Sequence, residues 1–288
     1  MAESTLVESS ELKIYHGNCH CGAIKFTVKT PEIPTVAECN CSICFKKGYK
    51  HLFPGPEAFT FIRGEELLKD YEFAGKTMLH RFCPTCGTPV MGKRRSAPPG
   101  SDISINARTF NDLDIWSLPT KTFDGKSLEP KYKPAPFNGP EPTAEIEDSK
   151  IYTGGCHCGN VTMALKTKDP ISGGHEDIGE CNCSICMRNG TILTYPQILQ
   201  VSISTQDPSQ VKAYIFGRSF QEHTFCGICG VSLYLKRILG SNMGAKNRLE
   251  WEKGLPVNLR CFDGLEWDEV KVKKGEWKSL GGEYVVPA

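Results

Sequence analysis

The sequence predicts a mainly β protein made of two tandem copies of one domain. Short runs in which apolar and polar residues alternate are typical of strands that bury one face. A set of cysteine motifs occurs twice in the same order, which indicates a duplicated unit. A proline-rich segment separates the two sets, and the length of 288 residues agrees with two domains.

Each predicted strand is a short alternating run bounded by turn residues. The runs are 23–30, 102–110, 160–167, 213–217 and 231–237. The segment 65–73 is predicted to form a helical turn that continues into a strand. No glycine-rich phosphate loop follows a strand and no long helix alternates with the strands, so a doubly wound nucleotide-binding fold is disfavoured.

The cysteine motifs define the two copies. GNCHCG, ECNCSICF and HRFCPTCG occur in the first half, and GGCHCG, ECNCSICM and HTFCGICG follow in the second. They predict a flexible N-terminus at 1–11, a first domain at 12–128 and a second at 149–288. The prolines of the intervening 129–148 predict a semi-extended linker, and the alternative is an ordered strap across the domain interface.

The charge balance limits the classes of partner. The chain has 34 basic and 33 acidic residues and a formal net charge of +1, which gives no electrostatic basis for binding nucleic acid or an anionic membrane. No apolar run approaches the roughly 18–20 residues of a membrane helix. The polar, acidic start does not have the pattern of a secretory signal. We therefore expect a cytoplasmic protein, with the nucleus as the second candidate location.

The 15 cysteines predict metal binding, because reducing compartments keep thiols from pairing. The C-x-x-C pairs of FCPTCG and FCGICG are typical of one half of a zinc knuckle, in which backbone N–H groups point at the sulfurs. A redox-active pair is the alternative, and it would favour a βαβ setting that this sequence does not indicate.

Each knuckle needs two more ligands, because structural zinc is held by four in a tetrahedron. The C-x-C pair of the same repeat is the remaining free pair. The sequence therefore predicts one four-cysteine structural site per repeat. These are Cys19, Cys21, Cys83 and Cys86 in the first repeat, and Cys156, Cys158, Cys226 and Cys229 in the second.

Three cysteines per repeat remain, and we predict that they hold a zinc ion with an open fourth position, as catalytic zinc sites do. They are Cys39, Cys41 and Cys44, and Cys181, Cys183 and Cys186. The alternative is a closed structural site with a fourth protein ligand, for which the candidates are His51, His80, His175 and His223. Three thiolates favour a soft fourth ligand such as a substrate thiol, which loses its proton on zinc. The predicted role is to present a substrate thiolate to an electrophile.

The order C-x-C-G, C-x-C-x-x-C, F-C-x-x-C-G and then N-x-R resembles the glutathione-dependent formaldehyde-activating enzymes and the related centromere protein V. The resemblance covers both halves and implies two tandem zinc-stapled β-tent domains. It implies the same division of the cysteines into structural and catalytic ligands, and hence up to four zinc ions, two per domain. The reaction implied is the joining of glutathione and formaldehyde to S-hydroxymethylglutathione, a carbon–sulfur lyase chemistry. The resemblance is normally to one domain, and here it occurs twice.

The segments that follow the open clusters differ, with FKKGYKHLF after Cys44 and MRNGTILTY after Cys186. Lys46, Lys47 and Arg188 are candidates for binding the carboxylates of glutathione, and the alternative is solvated surface charge.

Proton transfer by His80 and His223 is a further hypothesis, against simple packing beside the knuckle. The predicted function is a zinc-dependent carbon–sulfur lyase or synthase that acts on glutathione or another thiol adduct. The alternative function is a non-catalytic zinc scaffold for protein or chromatin binding.

Overall fold

A computed structural model describes residues 11–98, 102–128, 131–174, 177–217, 219–238, 253–276 and 283–288. Among these residues, the first repeat carries the helix α1 (Ser42–Lys47) and ten strands. The strands are β1 (Lys13–Asn18), β2 (Lys25–Thr30), β3 (Val36–Cys39), β4 (His51–Leu52), β5 (Phe59–Arg63), β6 (Lys69–Tyr71), β7 (Met78–Phe82), β8 (Pro89–Arg94), β9 (Ile103–Asn106) and β10 (Thr120–Phe123). The predicted flexible N-terminus and His175 lie outside the described residues, Glu11 excepted.

The second repeat has the same elements in the same order among its described residues. Its helix is α2 (Ser184–Asn189). Its strands are β11 (Ser149–Gly155), β12 (Val161–Lys168), β13 (Ile178–Cys181), β14 (Ile192–Thr194), β15 (Val201–Thr205), β16 (Val211–Tyr214), β17 (Gln221–Cys226), β18 (Ser232–Arg237), β19 (Val257–Asn258) and β20 (Lys273–Gly275).

Each repeat contains one small and one large sheet with matching strand orders. The small sheets are β1-β2-β5 and β11-β12-β15. The large sheets are β10-β3-β4-β9-β8-β7-β6 and β20-β13-β14-β19-β18-β17-β16. Both large sheets end in a parallel pair, β10 with β3 and β20 with β13, while the other pairs are antiparallel. The prediction of a mainly β, duplicated fold is confirmed.

The alternating runs of the sequence correspond closely to observed strands. The runs 23–30, 160–167 and 231–237 match β2, β12 and β18 within two residues at each end. The segment 65–73 forms the predicted helical turn, as a 3-10 turn at Glu65–Leu67, followed by β6. The run 102–110 ends early, because the Asn106 side chain accepts a hydrogen bond from the Arg108 N–H and begins a 3-10 turn.

The linker packs against the second repeat. Residues 131–148 form neither helix nor strand. The Ala144 N–H donates to the Leu199 carbonyl at 3.0 Å, and the Tyr132 hydroxyl donates to the His157 carbonyl at 2.9 Å. At the other end of the chain, the Tyr284 hydroxyl donates to the His20 carbonyl at 2.6 Å. The linker therefore contacts the loop around His157 in the second repeat, and the end of the second repeat contacts the loop around His20 in the first, which favours the ordered strap. We propose 12–128 and 149–288 as the extents of the repeats.

The two short helices meet where each ends. Gly48 and Gly190 follow α1 and α2 with φ of 59° and 58°, a left-handed conformation that glycine adopts readily. A Cβ on Gly48 would lie 2.4 Å from the Gly190 carbonyl oxygen, and the reverse approach is 2.5 Å. Arg108 Nε donates to the Gly48 carbonyl and Arg260 Nε to the Gly190 carbonyl, each at 2.8 Å. The contacts are reciprocal, so the repeats pair as an internal pseudo-dimer.

The repeats also share a hydrophobic core. Ile43, Tyr49 and Phe82 of the first repeat belong to the same buried cluster as Val161 and Leu233 of the second. Among the described residues, no helix is long and apolar enough to cross a membrane.

Candidate metal centres

The eight cysteines predicted to be structural form two compact groups. Cys19, Cys21, Cys83 and Cys86 place their four sulfurs within 4.8 Å of one another, and so do Cys156, Cys158, Cys226 and Cys229. In the first group, Cys19–Cys21 and Cys21–Cys83 are 3.5 and 3.6 Å apart. Four sulfurs at about 2.3 Å from one zinc ion would lie about 3.8 Å apart, so both groups fit a tetrahedral ion.

Backbone donors support a thiolate form of these groups. The Ile24 N–H donates to the Cys19 sulfur and the Val161 N–H to the Cys156 sulfur, each at 3.3 Å. Each group joins the C-x-C loop after the first strand of its repeat to the knuckle between two strands of the large sheet. A metal ion there would link the two sheets of the repeat.

The remaining clusters lie at the starts of α1 and α2. Cys39, Cys41 and Cys44 form one group with all sulfurs within 4.8 Å, and Cys181, Cys183 and Cys186 form the other. Cys41 and Cys183 are the N-caps of the two helices, with extended backbone. The third cysteine comes three residues after the N-cap cysteine, nearly one helical turn later, so its sulfur lies on the same side of the helix as the first two.

Neighbouring thiols in these clusters cannot all ionise without a shared cation. A hydrogen bond with Cys41 lowers the pKa of Cys39, whereas the same contact raises the pKa of Cys41 to about 12. In the second repeat, the hydrogen bond with Cys183 raises the pKa of Cys181 to about 12. A divalent ion supplies the positive charge that three adjacent thiolates require, so the donor set fits zinc.

A fourth ligand atom does not join either three-cysteine group within the described residues. His51 approaches most closely among the predicted candidates, with its Nε2 3.3 Å from the Cys44 sulfur, but it is not within 4.8 Å of all three sulfurs. Burial lowers the pKa of His51 and His223 to about 4 and that of His80 well below its usual value, so all three are neutral at pH 7.

Each three-cysteine cluster lies against the four-cysteine group of the opposite repeat. Ser42, between Cys41 and Cys44, shares a 2.9 Å hydrogen bond with His157 Nε2, and the Tyr71 hydroxyl meets His157 Nδ1 at 2.7 Å. The reciprocal pair is Ser184 with His20 Nε2, also at 2.9 Å. The second nitrogen of His20 meets the hydroxyl of Tyr214 at 3.1 Å.

Lys46, Lys47 and Arg188 are buried, which argues against the alternative that they are solvated surface charges. Lys46 is 4% exposed and donates to the carbonyls of Gly155 and Cys261 in the other repeat, at 3.2 and 2.9 Å. Arg188 is 5% exposed and donates to the carbonyls of Asn18 and Ser184 and to the side chain of Asn111. These contacts hold the repeats together, so they give no support to carboxylate binding by either side chain.

Lys47 is buried and its ammonium has no hydrogen-bond partner within the described residues. Its ammonium lies 4.6 Å above the Phe82 ring. Burial lowers its pKa to about 8, and electrostatic attraction to Cys229, Cys44 and Cys226 opposes that shift. Lys47 is therefore placed to offset the negative charge of cysteines from both repeats rather than to reach a substrate in solvent.

A model of the glutathione-dependent formaldehyde-activating enzyme family matches residues 14–124 and again 151–248, more than half of the chain. The chain belongs to this family. It holds two tandem copies of the family domain, and each copy contains one four-cysteine and one three-cysteine group. A crystal structure of a Rhodobacter sphaeroides protein aligns at 24% identity over 43% of this chain and 99% of its own, with a TM-score of 0.33.

Sequence reasoning about this family member missed the polar residues that join the repeats. Ser42, Ser184, Tyr71 and Tyr214 were not singled out, although each serine lies inside the repeated CNCSIC motif. The two serines occupy the same position in both copies of the motif, and that identity could have marked them as functional residues. The tyrosines precede the knuckles at matching places in the strand order, as parts of β6 and β16.

Proposed function

We propose that the chain is a zinc-dependent carbon–sulfur lyase or synthase that acts on glutathione or another small thiol and its adducts. Formation of S-hydroxymethylglutathione from formaldehyde is the reaction that family membership favours. The observation that carries the proposal is the pairing, in each repeat, of a four-cysteine group with a three-cysteine group that gains no fourth ligand among the described residues. We further propose four zinc ions per chain, two in each repeat.

Bound zinc would supply a soft, positively charged centre that stabilises a substrate sulfur as its thiolate. The exposure of the cysteines indicates from which side a substrate sulfur would approach. Cys39 and Cys41 are only half-buried while Cys44 is buried, so the cluster is exposed on one side. The Cys41 N–H donates to the Cys39 sulfur at 3.5 Å and the Cys183 N–H to the Cys181 sulfur at 3.3 Å, which fixes the first two ligands of each cluster.

The test is to incubate the purified protein with glutathione and formaldehyde, and with a panel of glutathione conjugates, and to follow C–S bond formation and cleavage by NMR. We expect turnover that is lost in the double variant C41S/C183S. The matched control is C261S, since Cys261 is a buried thiol outside all four clusters that donates to the Ser232 carbonyl. Absence of any turnover by the zinc-loaded protein would favour the scaffold function instead.

A further inference from the structure

The two open clusters have different neighbours although the elements that carry them match. Counting from the last cysteine of each cluster, Tyr49 corresponds to Thr191 and His51 to Leu193. On the strand that leads to the knuckle, Met78 corresponds to Gln221. The first cluster therefore has two aromatic polar neighbours, Tyr49 and His51. The second has neither, and Gln221 is a polar residue on a more distant strand.

His51 is the residue in direct contact with the first cluster. Its Nε2 lies 3.3 Å from the Cys44 sulfur, and its ring stacks on Tyr49 with the centroids 4.9 Å apart. Its other nitrogen, Nδ1, is buried and has no hydrogen-bond partner among the residues that the structure describes. With Cys44 as a thiolate, Nε2–H is the donor, and a hydrogen bond of this kind modulates a metal ligand. Leu193 offers the second cluster no such donor.

Two further polar atoms near the first cluster are buried and have no hydrogen-bond partner in the described part of the chain. They are the Tyr49 hydroxyl, on a side chain 2% exposed, and His80 Nδ1, on a side chain 5% exposed. The Tyr49 and His80 rings are 6.1 Å apart, and both groups interact electrostatically with cysteines of this cluster. Buried polar groups are almost always hydrogen-bonded, so three atoms beside the first cluster that have no partner among the described residues indicate partners that arrive with a ligand.

The second cluster also has buried oxygens without a hydrogen-bond partner among the described residues, on Asn189 and Thr191 near Cys186, but its histidine is hydrogen-bonded. His223 shares a 3.1 Å hydrogen bond with Gln221, and Gln221 accepts from Arg237 at 2.5 Å. Asn189 and Thr191 border a cavity of about 20 Å³ next to Cys186. That is enough space for one water molecule, which needs about 10–15 Å³, so a single water would satisfy their free oxygens.

We propose that the two open clusters are not equivalent and that carbonyl chemistry takes place at the first, with Tyr49 as the catalytic proton donor. This inference rests on the proposed function. The substrate thiolate forms the new C–S bond with its lone pair, and the π pair of the C=O moves onto oxygen. The Tyr49 proton passes to that oxygen, and the proton released when the thiol ionises restores the phenol. The net change is thiol plus aldehyde to hemithioacetal. His51 is a positioning residue that acts through Cys44.

The catalytic part is tested with Y49F and the matched variant T191V, each in the full zinc-loaded chain. We expect Y49F to lower kcat at least tenfold with KM for glutathione within twofold, while T191V changes both constants less than twofold. Both proteins should melt as the wild type does, because each substitution keeps the volume of the side chain. Equal loss in the two variants, or unchanged kcat in Y49F, would overturn the assignment.

The positioning part is tested without turnover, in protein loaded with cobalt(II). We expect H51L to shift the sulfur-to-cobalt charge-transfer band, H51Q to restore it because the amide keeps an N–H donor, and L193A to leave it unchanged. Shifts in both H51L and L193A, or in neither, would overturn the inequivalence. If the wild type catalyses no C–S chemistry, the proposed function fails, and these spectra alone decide whether the clusters differ.

Discussion

At the scale of single residues, charge beside an open metal cluster serves the fold. Lys46 lies two residues after Cys44 in α1. Its ammonium nevertheless donates to two backbone carbonyls of the other repeat and lies 3.4 Å from the Asp263 carboxylate. The place of Lys46 in the sequence, next to a three-cysteine cluster, predicts a contact with substrate. In the structure its side chain instead binds the other repeat at the interface.

Replacing Lys46 by Met should lower the free energy of unfolding by about 3 kcal/mol, because two buried carbonyls and a carboxylate lose their donor. KM for glutathione should stay within twofold of the wild-type value. Urea unfolding and steady-state kinetics measure the two quantities, and K29M, at an exposed lysine of β2, is the control. A raised KM with unchanged stability would restore the role in carboxylate binding.

The two kinds of cysteine should respond differently to substitution. Cys83→Ser removes a ligand that links distant strands, and metal-binding energy at such a site is folding energy. We expect Tm to fall by about 10 °C, the shift that roughly 3 kcal/mol produces in a chain of this size. Cys41→Ser changes a cluster confined to six residues and should leave Tm nearly unchanged while activity falls. Equal destabilisation in thermal melts would show that the three-cysteine clusters are structural too.

At the scale of elements, α1 and α2 are too short to be stable alone, since six residues are far below the roughly 12–15 that an isolated helix needs. The left-handed glycine that ends each helix and its close contact with the glycine of the other repeat hold each helix in place. Gly48→Ala should therefore cost at least about 3 kcal/mol, from left-handed strain and from the 2.4 Å approach to Gly190.

Gly174→Ala is the matched control for that element. Gly174 also has a positive φ, of 80°, but a Cβ there meets nothing within 4 Å. It should cost only the backbone term of about 1–2 kcal/mol. Denaturant titrations of both variants measure the difference, and equal costs would mean that the close contact between the helices contributes little.

The elements that the sequence predicts well are those set by local pattern. Strands such as β2 and β12 follow from alternation, and the four cysteine groups follow from spacing and ligand number. The ends of elements are less predictable, as the turn begun by Asn106 shows, because a side-chain cap competes with continued pairing. The roles of Lys46 and Arg188 could not be predicted, since they bind groups in the other repeat, far away in sequence.

At the scale of the whole molecule, the repeats form one interlocked unit. Each open cluster packs on the structural group of the opposite repeat through a serine and a histidine, Ser42 with His157 and Ser184 with His20. Tyr132 of the linker contacts the second copy, and Tyr284 near the end of the second copy contacts the first. Each three-cysteine cluster therefore lies close to residues of both copies.

Metal removal should proceed in two stages. The three-cysteine sites have one ligand fewer and one open side, so a chelator should take two zinc ions first, with the β-sheet circular dichroism retained. Loss of the remaining two should unfold the chain, because structural zinc contributes folding energy. Zinc release followed by a chromogenic chelator, together with circular dichroism, measures both stages. Release of all four ions in one step with unfolding would contradict the division into two classes.

The most direct test of the account is whether a substrate thiol completes the open clusters. Cobalt(II) replaces zinc, and the intensity of its sulfur-to-metal charge-transfer bands reports the number of thiolate ligands. Glutathione should strengthen these bands in the wild-type protein, since three cysteine sulfurs gain a fourth, while S-methylglutathione should leave them nearly unchanged. A spectrum that does not respond to glutathione would contradict the claim that these clusters are open thiol-binding metal sites.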